Sequence, residues 1–228
     1  MRKQLVLVAA GAMVLGLAGT AAAQNKGQGL AIVPFAAFNL PGMLATEAGN
    51  LEMKAKGAPF VGLQLEMGLS KAMSIGVGGG ITMGQKLDFN DLGSGGSTLG
   101  TADISSPRVY GVLSIRPAGR LPNGAVTPLA IELGGGVSMW RFGRVIGTGG
   151  SVLASSSWNS TEPFAFAGLA LNLPIGPRTS IELFGRALGG FGYSSTGLDD
   201  WNAVPPPTNL QGKFNLGFLF GAGMRVGR

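Results

Sequence analysis

Seven charged residues stand in glycine-rich, largely apolar surroundings: Glu66, Glu132 and Glu182, with Arg108, Arg116, Arg186 and Arg225. Carboxylates and guanidiniums are therefore the groups available for acid–base work or ion pairing. The chain has no histidine and no cysteine. That removes the usual general base near neutral pH and the commonest metal ligand, together with every disulfide and thiolate site. A Ser–His arrangement for hydrolysis or acyl transfer cannot be built. Two uses remain for the seven residues. They could line an ion path or gate, or form a plug in which arginine forks bridge carboxylates. Charge taken out of water is costly unless paired, so pairing is expected wherever they are enclosed.

Other candidate sites are weaker. "LDFNDLG" places Asp88, Asn90 and Asp91 together, and "GLDD" ends on Asp199 and Asp200. Neither has the twelve-residue spacing of a calcium loop, so solvated loops are expected, with no metal and no cofactor. Gly78-Gly79-Gly80 and Gly134-Gly135-Gly136 lack the Lys-Ser/Thr that completes a phosphate loop. They lie within strand-like runs, where glycine marks curvature or close packing.

The composition narrows what could position these residues. Of 228 residues, 45% are hydrophobic, 12% are charged and 41 are glycine. Soluble domains carry about 25% charged residues and about 7% glycine. The net charge of +6 comes without a basic run, so nucleic acid is not an expected partner. Residues 1–23 read as a signal peptide. Arg2 and Lys3 precede an apolar stretch from Leu5 to about Leu17, and Ala21-Ala22-Ala23 offers a small-x-small cleavage site before Gln24. That stretch is short of the roughly 20 residues of a spanning helix. Residues 24–228 then form one domain.

Alternation in that domain has a period of two, which specifies strands. In "VGLQLEMGL", Val61, Leu63, Leu65, Met67 and Leu69 share one face, against Gly62, Gln64, Glu66 and Gly68. "MSIGVGGGITM" repeats the pattern from Met73 to Met83. Arg108, Tyr110, Ser114 and Arg116 oppose Val109, Leu113 and Ile115. Glu132, Gly134, Gly136 and Ser138 oppose Ile131, Leu133, Val137 and Met139. Glu182 and Arg186 oppose Ile181, Leu183 and Ala187, and Asn215 to Arg225 oppose Phe214 to Val226. Two segments, about 30–38 and 164–173, alternate less cleanly. The total is eight strands, long enough for the nine to eleven residues or so that a tilted strand needs to cross a membrane.

Connections alternate too. Asn39 to Ala58, Gly84 to Ser105, Gly143 to Thr161 and Gly192 to Gln211 are long. Ser70-Lys71, Ala118 to Ala125 and Pro174 to Pro177 are short. Antiparallel strands so joined put long loops at one end and short turns at the other, the loop pattern of a transmembrane barrel. A soluble lipocalin-like periplasmic barrel would alternate similarly. Its outer face would then be mostly Gly, Ser and Ala, a thin surface for solubility. The expected fold is therefore all-β, an eight-stranded antiparallel up-and-down transmembrane barrel. Four long external loops and three short periplasmic turns connect it. Trp140, Phe142, Tyr193 and Trp201, with Trp158, fit an interfacial aromatic belt.

Stretches such as "LEMGLSKAMSIGVGGG" (Leu65 to Gly80) and "FNLGFLFGAGMRVG" (Phe214 to Gly227) make the chain resemble the small eight-stranded outer-membrane barrels of Gram-negative bacteria, the outer-membrane β-barrel domain kind. Members of that group usually end on an aromatic residue read by the assembly machinery. Here the sequence closes Val226-Gly227-Arg228, with Phe218 and Phe220 as the aromatic residues that would stand in.

The resemblance implies a monomer in the cell outer membrane, delivered by the barrel-assembly machinery, with membrane lipid and lipopolysaccharide as neighbours. The expected role is non-enzymatic, structural or surface contact through the long loops. A polar lumen network would be formed by Glu66, Arg108, Arg116, Glu132, Glu182, Arg186 and Arg225. A narrow ion or small-solute pore is the alternative, and a histidine-free lipid-modifying enzyme a further one. The loop pattern makes a direct prediction. Single cysteines at Asn50, Gly95, Ser155 and Thr208 should react with an impermeant thiol reagent on intact cells, and cysteines at Lys71 or Asn123 should not. Reaction at Lys71 but not at Gly95 would reverse the orientation.

Overall fold

The period-two runs pair edge to edge into a closed wall. A computed structural model describes residues 29–41, 43–46, 51–70, 72–91, 93, 95–117, 128–154, 158–192, 194–195, 210–211 and 214–227. The expected signal segment, the 118–125 turn, Lys71, Tyr193, Trp201, Asp199, Asp200 and the side chain of Trp158 lie outside them. In chain order the strands are β1 (Leu30–Leu40), β2 (Met43–Thr46), β3 (Leu51–Ala55), β4 (Ala58–Gly68), β5 (Met73–Thr82), β6 (Gln85–Asp91), β7 (Ser97–Ser105) and β8 (Arg108–Ile115). They continue with β9 (Leu129–Gly147), β10 (Val152–Ala154), β11 (Trp158–Gly176), β12 (Thr179–Gly190), β13 (Ser194–Ser195), β14 (Leu210–Gln211) and β15 (Asn215–Gly227).

Eight of these form the barrel wall. The ladder runs β11-β12-β15-β1-β4-β5-β8-β9, and β9 pairs with β11 to close it. Every pairing is antiparallel. The outer face carries the apolar rows, including Leu63, Ile75, Val109, Leu133, Leu169, Leu183 and Phe220, all exposed. The inner face carries the polar and charged residues, all seven of the lumen set included. A soluble barrel has the opposite polarity. An all-apolar exterior on a closed ladder, with no backbone edge left unpaired in the wall, suits a hydrocarbon surround.

Three segments expected as loops are largely strand. The first long connection contains β2 and β3, and the second contains β6 and β7. β9 and β11 extend well into the one assigned to Gly143 to Thr161. These pieces pair as β2-β3-β6-β7-β9, with β10 on β9, so the sheet continues past the wall. The reason is a second apolar core. Met53, Ala55, Leu87, Phe89, Ala102, Ile104, Trp140, Phe142, Val145 and Ala154 bury one face of the extension. Trp140 and Phe142 are thus not part of an interfacial belt. Each is 2% exposed, because both share the inward parity of Glu132 and Ser138.

Wall and extension meet at three breaks lying side by side, at 56–57, 83–84 and 106–107. The first two shift the inward parity. Met53 and Ala55 point in before the first break, Ala58 and Phe60 after it. Ser74 to Thr82 point in at even positions, and Gln85, Leu87 and Phe89 at odd ones. Gly84 has a φ of 63°, a value that suits glycine. Side chains help bridge the interruption. Gln85 Nε2 donates to the Lys56 carbonyl (3.0 Å), the Thr82 and Ser106 hydroxyls lie 3.0 Å apart, and Ser106 N donates to Thr82 Oγ1 (2.9 Å).

Both faces of β9 should therefore resist change, for different reasons. Leu133→Arg puts charge on the outer surface and should cost about 2–4 kcal/mol near a bilayer midplane. Gly134→Ser adds a Cβ against the Phe166 ring and the Gly111 carbonyl, an overpacking cost of about 1–3 kcal/mol. Reversible unfolding in lipid measures both. A neutral Gly134→Ser would contradict the packing, and a neutral Leu133→Arg the lipid-facing assignment.

Candidate functional site

Inward alternation delivers polar side chains from several strands into one narrow interior. Near the short-turn end, β4 supplies Glu66, β5 supplies Ser74, β12 supplies Glu182 and β15 supplies Arg225; Arg116 follows β8 directly. Glu66 is the acceptor at the centre. Its Oε2 takes Arg225 Nη1 at 2.7 Å and the Ser74 hydroxyl at 3.1 Å, and its Oε1 takes Gln64 Nε2 at 2.8 Å. Arg116 donates to the Ser74 hydroxyl (3.1 Å), with Nη2 3.6 Å from Glu66 Oε2. Arg225 Nη1 also lies 3.6 Å from Glu182 Oε2.

A second layer is built on Arg186. Its Nε and Nη2 donate to the two oxygens of Glu132 at 2.7 and 3.0 Å, the forked geometry that arginine and carboxylate share. Nη2 also reaches Gln64 Oε1 (3.0 Å) and Nη1 the Tyr110 hydroxyl (3.2 Å), which itself donates to Gln64 Oε1 (3.1 Å). Gln64 thus joins the two layers. The guanidinium centre lies 4.5 Å from the Phe184 ring centroid, 5.2 Å from Phe166 and 5.5 Å from Tyr110. Such cation–π contacts gain strength when desolvated. Glu132 is 1% exposed and Arg186 3%.

The pairing depends on a residue without a side chain. Glu132 on β9 and Arg186 on β12 both stand opposite Gly168 on the intervening β11. A Cβ at Gly168 would lie 2.8 Å from Arg186 Cγ and 2.5 Å from the Gly185 carbonyl oxygen. The absent side chain lets the guanidinium cross one strand to its carboxylate. Gly78 does the same for the Tyr110 ring.

The structure brings six of the seven sequence-selected residues together and leaves one aside. Glu66, Glu132, Glu182, Arg116, Arg186 and Arg225 form the linked layers. Carboxylate oxygens of the three glutamates lie within 4.8 Å of one another, but three guanidiniums already supply their counter-charge. Arg108 lies further toward the long-loop end, its guanidinium centre 5.4 Å from the Phe60 ring centroid and 6.0 Å from Phe164. Gln64, Ser74, Tyr110 and Glu162 belong to the interior but were not singled out. Alternation places Gln64, Ser74 and Tyr110 inward, so a signal for those three existed. Glu162 falls between the connection read as ending at Thr161 and the strand read from about 164. The lumen also holds more aromatic bulk than its Gly, Ser and Ala content suggests, with Phe35, Phe60, Tyr110, Phe164, Phe166 and Phe184 in one cluster.

A closed eight-stranded wall, apolar outside and ion-paired inside, is the observation that directs comparison. Solved structures are similar to the chain in fold. The outer membrane protein OprG from Pseudomonas aeruginosa superimposes with a TM-score of 0.51 at 12% identity, covering 88% of this chain and 96% of that one. The fold is that of the small outer-membrane barrels. Ail, the attachment invasion locus protein of Yersinia pestis, matches with a TM-score of 0.44 at 15% identity, over 89% of this chain and 100% of that one. No family model and no curated protein matches the chain. At these identities the likeness concerns architecture and assigns no ligand or activity.

Gly168→Ala should cost about 1–3 kcal/mol by overpacking and displace Arg186. Arg186→Ala removes the Cγ against which the new methyl presses, so the cost of Gly168→Ala should fall in that background. Urea unfolding of the double-mutant cycle should give a coupling of about 0.5–3 kcal/mol. Strict additivity would mean that Gly168 does not shape the pair. Glu132→Ala should cost about 3 kcal/mol, the low end for a broken buried pair, since Arg186 keeps Tyr110, Gln64 and its aromatic neighbours.

Proposed function

We propose that the protein is a non-enzymatic barrel of the outer membrane, with a lumen sealed by its own side chains and a structural or surface-contact role carried by the sheet extension. The observation that carries this reading is the Glu66–Gln64–Arg186–Glu132 assembly with its Arg116, Arg225 and aromatic partners. A side-chain-filled interior is what an eight-stranded barrel has room for. A continuous hydrogen-bonded layer across it favours a plug over a path. The carboxylates are engaged by arginines and not poised beside a nucleophile, and the sequence lacks histidine and cysteine. Both features support a non-enzymatic role.

The outer surface supports the membrane placement. Along β9 the outward row is apolar through Val137 and becomes cationic at Arg141 and Arg144. Lys54 and Lys86 stand on β3 and β6 of the extension, with Lys56 just past the end of β3, and Lys56 and Lys86 pair with Asp88 and Asp103. A cationic rim above an apolar band suits the anionic headgroups of lipopolysaccharide. Delivery would follow removal of residues 1–23 and insertion by the barrel-assembly machinery, giving a monomer.

The sealed lumen is tested by conductance. Wild-type protein reconstituted in planar bilayers should show no stepwise current at either polarity. A reproducible unitary conductance from correctly folded protein would replace the plug with a pore.

A further inference from the structure

Strand β9 carries two arginines on its outward face where a regular strand would carry one. Arg141, between the buried Trp140 and Phe142, is exposed on the outer face, opposite Ser105 on β7 and Asn159 on β11. Beyond it the register with β7 slips. Phe142 stands opposite Ile104 and Val145 opposite Ala102, so Gly143 and Arg144 together face the single residue Asp103. This is a β-bulge, a device that re-aims a side chain. In unbroken alternation Arg144 would enter the core beside Phe142. With the bulge, Val145 takes the inward place at 0% exposure and Arg144 is exposed. Glycine suits the close backbone approach here, since a Cβ at Gly143 would lie 3.1 Å from the Asp103 carbonyl oxygen.

The row below sets the height of the two arginines. Leu129, Ile131, Leu133, Val137 and Met139 precede Arg141 on the same face, and residues 129–139 match the roughly nine to eleven residues that a tilted strand needs to cross a membrane. Arg141 is the next outward residue, so both guanidiniums fall at headgroup level, on the side of the long connections. Charge there is unbalanced. Asp103 is held by Lys86 at 3.2 Å and Asp88 by Lys56 at 3.1 Å. Glu52, on β3, accepts from Asn90. Neither Arg141 nor Arg144 forms an ion pair among the described residues. Their flanking neighbours Ser105 and Asn159 can donate hydrogen bonds and carry no charge.

We propose that Arg141 and Arg144 form a clamp for a phosphate group on the lipid anchor of lipopolysaccharide, completed by Ser105 and Asn159. The acyl chains lie along the Leu133, Val137 and Met139 row below. This rests on the outer-membrane reading and adds a defined site to it. Successive outward positions lie about 7 Å apart along a strand, within reach of two arginine side chains onto one phosphate. Arginine forks match phosphate oxygens in pairs. A free phosphate would find the same donors but no use for the apolar row, so both features together point to the lipid. The lysines of the rim are placed differently. Lys56 and Lys86 are already paired, and Lys54 stands on β3, three strands from β9.

The test uses the full chain folded in detergent micelles, with diphosphoryl lipid A as the probe and bound lipid counted by native mass spectrometry. Wild-type protein should take up the probe saturably. Lipid A stripped of its phosphates should bind about tenfold or more weakly, the loss expected for charge-assisted hydrogen bonds. Arg141→Gln and Arg144→Gln should each weaken binding of the diphosphoryl form by a similar factor and leave the stripped form unchanged. Arg141→Lys keeps the charge, loses the fork and should fall between Arg141→Gln and wild type. Lys54→Gln should bind as wild type. All three positions are exposed, so the variants should fold, which heat-modifiable migration checks. Equal affinity for the two forms of lipid A, or a Lys54→Gln variant as weak as Arg141→Gln, overturns the clamp and leaves the membrane reading standing. Displacement of lipid A by inorganic phosphate at the same concentration overturns the lipid as occupant. A wild-type chain that stays monomeric in water without detergent overturns the membrane placement and the site with it.

Discussion

The Glu132–Arg186 pair crosses the interior over Gly168, and the packing of the lumen depends on that reach. A buried guanidinium is costly unless its charge is paired and its nitrogens find acceptors close by. Arg186 does so with Glu132, Gln64 and Tyr110. Each partner is then fixed in turn. Gln64 carries the network down to Glu66, and Tyr110 occupies the space left by Gly78. Phe184 and Phe166 cover the guanidinium. Glycine on one strand is matched to bulk on the next, which is how a wall with so many glycines encloses a filled interior.

The polarity of the strands inverts along their length. Within the wall, apolar side chains face out and polar ones face in. Beyond the breaks at 56–57, 83–84 and 106–107, Met53, Leu87, Phe89, Trp140 and Phe142 face in, while Lys54, Lys86, Arg141 and Arg144 face out. The same sheet thus suits two solvents. Hydrocarbon outside a wall demands apolar surface and tolerates an ion-paired lumen. Water outside demands charge and drives apolar groups into a core. Segments that would otherwise be loose connections become a paired extension with its own core. For a surface-contact role this matters, because a paired scaffold presents its outward side chains in fixed order.

Arg108 shows how finely the row geometry is tuned. Glu132 and Arg186 flank Gly168 on the strand between them, and Arg108 and Glu162 flank Ser138 in the same way. The first closes an ion pair. The second leaves a cation and an anion turned apart, each with different neighbours. In the second row Glu162 instead accepts from Trp140 and Asn215, and Arg108 lies against the Phe60 and Phe164 rings.

Much of this was legible in the sequence. Alternation determined the wall strands, their faces and the inward position of the seven charged residues, because in a strand the face follows from parity alone. The alternation of long and short connections determined the antiparallel order. The clean pattern failed at about 30–38 and 164–173, which send Phe35, Phe164 and Phe166 into the lumen among the polar residues. Hydrophobicity does not distinguish a phenylalanine facing lipid from one packed on a guanidinium. It failed again at the breaks, where one added residue on each of two strands shifts the inward parity and hides the extension. Which carboxylate meets which arginine was decided only by register in the closed barrel. Glu132 and Arg186 are far apart in sequence and adjacent only across Gly168. Whether a pair closes depends on the side chain of the strand between, and only the tertiary structure places that strand.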